Sequence, residues 1–293
     1  MEFERRIEET HIRELRGQAV TPHLERVELR TYRREDLIYP VALAAQVDRL
    51  TSAFRNWYAG TQVPQWGVLL IGFPGSGKTT VGGLLAGMRP SDCTYVLCSA
   101  KDLTDPSDID RAFRTVELLA PAVLHIDDVD LIARDRRAGG AGLTHELMER
   151  LDGMQTRAKV FTVLTSNNPG AIDPAIRCRP GRISTRITFE GFGACAAELI
   201  ERRAHALDLI LAPDAVTVAV DAMKERLALF TPDVAVNVCA RLRLTRANGT
   251  PCTAAEVRQA LEETLAIVED AATVPYLDRF SAPPPAPIGD MYD

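Results

Sequence analysis

The sequence predicts an α/β fold, with a parallel five-stranded sheet flanked by helices and followed by a small all-helical lid domain. Five short apolar segments alternate with helical periodicities between residues 68 and 189, and only helical patterns follow Gly191. Strands that alternate with helices are typical of a parallel sheet. The five strand candidates are Val68–Ile71, Tyr95–Cys98, Val123–Asp127, Val160–Thr165 and Arg186–Phe189.

The composition is that of a globular protein. The chain has 293 residues, with 34 Lys and Arg against 40 Asp and Glu, so its net charge is −6. Hydrophobic residues at 46% and charged residues at 25% exclude wholesale disorder and fibrous repeats. No run approaches about 18 consecutive apolar residues, and the N-terminus lacks the pattern of a signal peptide. We therefore expect a cytoplasmic protein that does not enter a membrane, and the acidic balance argues against a nucleic-acid partner.

Four regions are predicted along the chain. Residues 1–36 form a charged N-terminal arm, 37–190 an α/β domain, 191–270 a small helical domain and 271–293 a proline-rich tail. Apolar spacing of three or four residues predicts the helices. They are Glu2–Arg16, Val41–Trp57, Ala194–Leu207, Asp214–Leu229, Asp233–Arg246 and Thr253–Glu269.

The clearest motif is a glycine-rich loop after the first strand candidate. Residues 72–79 read GFPGSGKT, which is the G-x-x-x-x-G-K-[ST] spacing of a phosphate-binding P-loop. Glycines let backbone N–H groups point at phosphate oxygens, and the following helix adds its positive N-terminal end. In such a loop Lys78 reaches the β- and γ-phosphates, and the Thr79 hydroxyl takes a Mg²⁺ position. The predicted nucleotide-binding residues are Gly72, Pro74, Gly75, Ser76, Gly77, Lys78, Thr79 and Thr80.

A second motif is an apolar strand that ends in two carboxylates. Residues 122–128 read AVLHIDD. Because the carboxyl ends of parallel strands share one edge of a sheet, this strand can end beside the P-loop. That places Asp127 in the magnesium shell, together with Thr79, and Asp128 near the attacking water. His125 lies inside the strand, and we interpret it as a packed core residue.

These motifs occur together with further short motifs downstream. Residues 147–154 read LMERLDGM, residues 161–169 read FTVLTSNNP, and IDPAI at 172–176 precedes Arg179-Pro180-Gly181-Arg182. With this set, the chain resembles an AAA+ ATPase of the AAA family proper over about residues 38–270. The lead-in from Trp57-Tyr58 to Gly67-Val68-Leu69-Leu70 is similar to that of the soluble relatives of the mitochondrial ATPase that translocates the Rieske iron–sulfur protein.

The resemblance implies ATP as the nucleotide and a homo-oligomeric ring, usually of six subunits. It implies that Asn167 is a polar sensor near the γ-phosphate and the water, and that Arg179 and Arg182 are arginine fingers. Such fingers stabilise transition-state charge on the neighbouring subunit's nucleotide. It also implies that Ile38 and Tyr39 lie beside the base, and that the lid helix with Arg203 and His205 is on the adenine side.

Three features depart from the family pattern. The usual second acid is Glu, whereas Asp128 is shorter by one methylene, and misplacing a general base by about 1 Å can cost on the order of a hundredfold in rate. The segment before Arg179 has one more residue than is common. The loop at 99–108 lacks the aromatic residue with which polypeptide-threading relatives grip their substrate.

Three functions remain open on the sequence. The main hypothesis is a Mg²⁺-dependent ATPase that assembles into a ring and remodels an unidentified protein partner. The alternative is a nucleotide-gated scaffold or switch with slow hydrolysis, which Asp128 and the missing aromatic loop favour. A DNA-associated loader is the third, and its candidate contacts are Arg241, Arg243 and Arg246.

Overall fold

Five parallel strands form the centre of the molecule. The computed structural model describes residues 29–60, 66–133, 141–153, 159–177, 183, 185–245 and 250–273. The strand order in the sheet is β2-β3-β4-β1-β5, and every pairing is parallel. This confirms the predicted fold class. The strands are β1 Trp66–Gly72, β2 Thr94–Ser99, β3 Ala122–Asp127, β4 Val160–Ser166 and β5 Thr185–Phe189.

The strand order determines where a site can form. From β1 the chain passes to β2 at one edge of the sheet. It then returns through β3 to β4, which lies next to β1, and β5 follows on the other side of β1. In open α/β sheets, ligands bind outside the carboxyl ends of the strands, where the strand order reverses. Ile71 pairs with Ser166, so β1 and β4 end at the same level. The loops that follow β1, β3 and β4 therefore share one edge.

Helices cover both faces of this sheet and continue after β5. Short 3₁₀ turns occur at Ala100–Asp102 after β2, Val129–Leu131 after β3, and Phe192–Cys195 after β5. The helices are α1 Val41–Tyr58, α2 Lys78–Met88, α3 Pro106–Leu118, α4 Ala141–Gly153, α5 Pro174–Arg177, α6 Ala196–Ala206, α7 Ala215–Ala222, α8 Pro232–Thr245 and α9 Ala254–Thr273.

Two apolar clusters lie on opposite faces of the sheet. Successive side chains of a strand point to opposite faces, so Val68 and Leu70 of β1 pack into one cluster and Leu69 and Ile71 into the other. The first cluster continues without a break into the buried faces of α6–α9. The helical part is therefore packed directly against the α/β part. Within the described residues, no helix is both long and apolar enough to cross a membrane.

Most predicted helices form with shifts of one to four residues at their ends, but one is divided. The prediction of a single helix over 214–229 is wrong, because α7 ends at Ala222 and residues 224–229 form a 3₁₀ segment. Met223 breaks the helix with φ −115° and ψ 9°. Its side chain is buried, and Arg226 pairs with Glu269 of α9 at 2.6 Å. Contacts with distant residues thus override the local periodicity. The predicted helix at 2–16 and the tail from 274 lie outside the described residues.

Helix α2 lies very close to the sheet at Gly82. His125 is buried, as expected, and its Nδ1 is 2.7 Å from the hydroxyl oxygen of Tyr95. A Cβ on Gly82 would lie 2.6 Å from the His125 ring and 2.7 Å from the Tyr95 hydroxyl. The missing side chain of Gly82 therefore permits the close packing of the helix that begins at Lys78.

We expect Gly82→Ala to lower the free energy of unfolding by about 1–3 kcal/mol, because the added methyl group overpacks a dense core. The measurement is urea denaturation followed by circular dichroism. Gly142→Ala in α4 is the matched control, since its Cβ would be 3.7 Å from the nearest neighbour. In a helix this change is neutral or stabilising by up to about 1 kcal/mol. Equal stability of the two variants would contradict the close contact at Gly82.

Candidate phosphate-binding site

The glycine-rich loop connects β1 to α2 at the carboxyl edge of the sheet. Gly75 has φ +73° and Gly77 has φ +89°, both in the left-handed region that glycine adopts without steric cost. The loop ends where α2 begins at Lys78. Its backbone and the helix N-terminus therefore surround the same space, which is the arrangement that favours an anion.

That space is a cavity of about 460 Å³. Its volume lies within the range of about 300–1,000 Å³ that is usual for ligand pockets. The described residues that line it are Pro74, Gly75, Gly77, Lys78, Thr79, Thr80, Asp127, Asp128, Asn167, Pro232, Asp233 and Val236. The structure thus brings together residues from the P-loop, the two-acid motif and the predicted sensor. Gly72 and Ser76 are not among the lining residues, and Ser76 is fully buried.

Lys78 is the buried cation of the cavity. Its Nζ donates hydrogen bonds to the carbonyl oxygens of Gly72 and Phe73, both at 2.9 Å, and to Oδ1 of Asn167 at 2.7 Å. Burial lowers the pKa of Lys78 to about 8, although the nearby carboxylates of Asp127 and Asp128 act in the opposite direction. The ammonium is thus held in place before any ligand arrives.

Asn167 connects Lys78 to Asp128. Its Nδ2 donates to Oδ1 of Asp128 at 2.6 Å. The other carboxylate oxygen of Asp128 is 3.9 Å from the Lys101 ammonium. Burial raises the pKa of Asp128, and the negative charges of Asp127 and Asp130 raise it further. A carboxylate with a raised pKa is a better proton acceptor at neutral pH.

The backbone at Asp128 has φ 56° and ψ 42°, in the left-handed region. Asp and Asn adopt this region more readily than most other side chains. The amide N–H of Asp128 donates to the Thr165 hydroxyl at 3.1 Å, and that hydroxyl donates to Oδ1 of Asp127. Thr165 therefore holds both acids at fixed positions.

Four residues of this site were missed by the sequence analysis. Thr165 contacts both acids, Asp130 accepts a hydrogen bond from the Asn167 amide N–H at 3.2 Å, Lys101 approaches Asp128, and Asp233 lines the cavity. Thr165 carries a weak signal, because it is a hydroxyl residue at the end of an apolar strand and two positions before Asn167. The other three residues carry no local signal in the sequence, because only the placement of the strands and helices brings them to this site.

The donor groups fit a magnesium-bound phosphate. Thr79 and Asp127 both line the cavity and offer hydroxyl and carboxylate oxygens, which are the ligands that Mg²⁺ prefers. The Thr165 hydroxyl orients the Asp127 carboxylate. Hydrogen bonding of this kind commonly positions metal ligands.

Several predicted residues are not among the described residues that line the cavity. Arg179, Arg182 and Arg246 are outside the described residues, so their roles stay predictions. Arg241 pairs with Glu263 at 2.9 Å, and Arg243 donates to the carbonyl oxygen of Leu207 at 2.6 Å.

The predicted base contacts do not line the cavity either. Among the residues that the structure describes, Ile38 and Tyr39 are absent from its lining. The Tyr39 ring instead packs edge-on against Phe189, with 6.3 Å between ring centroids. Contacts of this segment with the base therefore stay a prediction.

Comparison with known proteins also points to a nucleotide-binding domain, of the AAA family. The model of the ATPase family associated with various cellular activities (AAA) matches residues 68–191. The ATP-dependent zinc metalloprotease FTSH 3 of Arabidopsis thaliana mitochondria is 29% identical over 229 residues, or 72% of this chain and 27% of the relative. FtsH of Mycobacterium tuberculosis is 27% identical over 233 residues, or 74% of this chain and 30% of the relative. The chain therefore spans less than a third of the length of these relatives.

The similarity to relatives of the Rieske-protein translocase stays a prediction, because the relatives above are zinc metalloproteases by name. The broader assignment rests on three independent observations. They are the family match at residues 68–191, the strand order β2-β3-β4-β1-β5, and the cavity that joins the P-loop to Asp127, Asp128 and Asn167. Together they show that residues 68–191 of this chain form a domain of the AAA family of ATPases.

Proposed function

We propose that this chain binds ATP with Mg²⁺, hydrolyses it in a ring-shaped homo-oligomer, expected to be a hexamer, and uses the cycle to remodel a protein partner. The observation that carries the proposal is the chain of hydrogen bonds from Lys78 through Asn167 to Asp128, inside a glycine-lined cavity. These hydrogen bonds connect a phosphate-binding cation to a carboxylate that can accept a proton. In this proposal, residues 37–190 form the nucleotide-binding domain and 191–270 the lid domain.

The loop and its lysine bind the phosphates. Backbone N–H groups of the loop surround the phosphate oxygens, and Lys78 exchanges a carbonyl contact for a phosphate contact. Thr79 and Asp127 hold Mg²⁺, which neutralises charge that develops on the phosphate oxygens. Thr165 keeps the Asp127 carboxylate oriented toward that position.

Asp128 and Asn167 act on water. Because Asn167 binds Oδ1 of Asp128, the second carboxylate oxygen can accept a proton from a water molecule. The water oxygen forms a bond to the γ-phosphorus, the bond between that phosphorus and the bridging oxygen of ADP breaks, and the proton passes to Asp128. The products are ADP and inorganic phosphate.

The charges around the cavity support a role for a neighbouring subunit. Among the described lining residues, Lys78 is the one cation and faces three carboxylates. The negative charge on a transferring phosphoryl group usually requires an additional cation. Arg179 or Arg182 of the neighbouring subunit supplies it in this scheme, so hydrolysis depends on ring assembly.

The segment after β2 favours a folded partner or a switch over threading of an unfolded chain. The 3₁₀ turn at Ala100–Asp102 is followed closely by α3, whose N-terminus is capped by Asp105 and Asp108. The Asp105 carboxylate accepts from the Ser107 N–H at 2.8 Å, and Asp108 accepts from the Asp105 N–H at 2.9 Å. This short, capped connection contains no aromatic residue. It is the observation that favours a slow, nucleotide-gated scaffold as the second candidate function.

ATP binding should take up a proton near pH 8. The pKa of Lys78 is about 8 in the free chain, and phosphate oxygens raise it because they stabilise the ammonium. At pH 8 the Lys78 side chain is therefore about half protonated in the free chain and fully protonated in the complex. Binding of ATP should thus take up about half a proton at this pH. Calorimetry in two buffers of different ionisation enthalpy measures this number. Uptake should decline towards zero at about pH 6.5, and its absence at pH 8 would contradict the lowered pKa.

Mixed assemblies test the trans-acting arginine. Lys78→Ala should abolish nucleotide binding, whereas Arg182→Ala should retain binding and lose turnover by on the order of 10³-fold. In a mixed ring, the intact P-loop of an Arg182→Ala subunit can lie beside the intact Arg182 of a Lys78→Ala subunit. Steady-state turnover should therefore partly return when the two variants are mixed. Arg179→Ala is tested in parallel to identify the main finger, and the exposed Lys224→Ala is the control. Wild-type turnover in Lys78→Ala, or in both Arg179→Ala and Arg182→Ala, would refute the scheme.

We expect Asp128→Glu to lower kcat by on the order of tenfold or more, because a longer side chain displaces a carboxylate that Asn167 already holds at 2.6 Å. Asp102→Glu is the control, because Asp102 is exposed and lies outside the cavity lining. It adds the same methylene and should leave kcat unchanged. Steady-state phosphate release measures both variants. A large gain in kcat for Asp128→Glu would instead support the slow scaffold.

A further inference from the structure

An acidic residue at the start of α8 lies directly against the P-loop. The backbone N–H of Asp233 is 3.3 Å from the carbonyl oxygen of Gly75 and donates to it. A Cβ on Gly75 would collide with Asp233 Cβ and lie 3.3 Å from Oδ2 of its carboxylate. The absence of a side chain at Gly75 therefore lets the helical part approach the loop with a carboxylate at the point of contact.

The carboxylate is held in place and forms part of the cavity wall. Asn237, one turn later on α8, donates from Nδ2 to the Asp233 carbonyl oxygen at 2.9 Å and to Oδ2 at 3.4 Å. Asp233 lines the phosphate cavity together with Pro232 and Val236. It also borders a second cavity of about 340 Å³, beside Phe73 and Pro74. Asp233 thus borders both cavities, as Pro74 does.

The carboxylate of Asp233 has no ion-pair partner among the residues that the structure describes. Within the described part of the chain, no Lys, Arg or His lies within ion-pairing distance of its carboxylate. In the proposed function, Lys78 and Mg²⁺ offset the charges of Asp127 and the phosphates, but neither is assigned to Asp233. A carboxylate in the wall of an anion site repels the bound anion, and the repulsion increases with the anion's charge.

We propose that Asp233 is a specificity-determining residue that weakens binding of ATP relative to ADP through charge repulsion with the additional phosphate. This inference rests on the proposed nucleotide site and deepens it. ADP bears one phosphate group fewer than ATP, so its binding is affected less. The contact between Asp233 and Gly75 also connects the start of α8 to the loop that holds the phosphates, so the charge acts where the helical part meets the nucleotide.

A purely structural role predicts something different. An acid in the first turn of a helix stabilises the helix through its dipole, and loss of that effect changes the melting temperature and not the ratio of two affinities. Asp233→Asn separates the two roles. It preserves the size of the side chain and an oxygen acceptor for Asn237, and it removes only the charge.

The experiment measures Kd for Mg²⁺-ATP and Mg²⁺-ADP by competition against a fluorescent ADP analogue. All chains are full length and carry Asp128→Asn, so that ATP stays intact during the measurement. We expect Asp233→Asn to raise the affinity for ATP relative to ADP by about three- to tenfold, and the effect to shrink in high salt. Asp214→Asn is the matched control, because Asp214 is an exposed acid immediately before α7 and does not line the cavity.

The outcomes separate this inference from the proposed function. An unchanged ratio of ATP to ADP affinity in Asp233→Asn, or an equal gain for both nucleotides, overturns the role of Asp233 and leaves the nucleotide site intact. The same change in Asp214→Asn also overturns it, because a distant charge would then have the same effect. Failure of the parent chain to bind either nucleotide refutes the proposed function and this inference together.

Discussion

The buried ammonium of Lys78 is the interaction on which the rest of the site depends. Removing a charge from water costs several kcal/mol, and the cost is tolerable only where hydrogen bonds and opposite charges replace the lost hydration. Two loop carbonyls and the Asn167 side chain provide the hydrogen bonds, and the nearby carboxylates provide the charge. The loop must therefore fold back over its own lysine, and β4 must end beside β1 so that Asn167 reaches it.

The parallel sheet meets this requirement through its strand order. Because β4 lies between β1 and β3, the segment that follows it can reach Lys78 on one side and Asp128 on the other. The Thr165 hydroxyl joins the two acids in the same way. Replacing any one of these side chains removes a hydrogen-bond partner from its neighbours.

The helical part contributes to the cavity and does not merely follow it. The apolar cluster under β1 extends without interruption into α6–α9, so the position of α8 is set by core packing. That position brings Asp233 to Gly75. The described lining, with one buried cation and three carboxylates, is poorly matched to a triphosphate without added positive charge. This imbalance is the common basis of the roles proposed for the metal, for the neighbouring subunit and for Asp233.

The sequence by itself determined the features that depend on local patterns. The five strands were predictable because apolar runs alternate with helical periodicities, and Lys78, Thr79, Asp127 and Asp128 were predictable because their chemistry requires fixed spacing. Asn167 came from resemblance to a family, and the structure places it between Lys78 and Asp128. Only the tertiary structure decided the break at Met223, the contacts of Thr165 and Lys101, and the approach of Asp233 to Gly75. These depend on residues far apart in the chain, whose proximity is set by sheet order and core packing and leaves no local periodicity in the sequence.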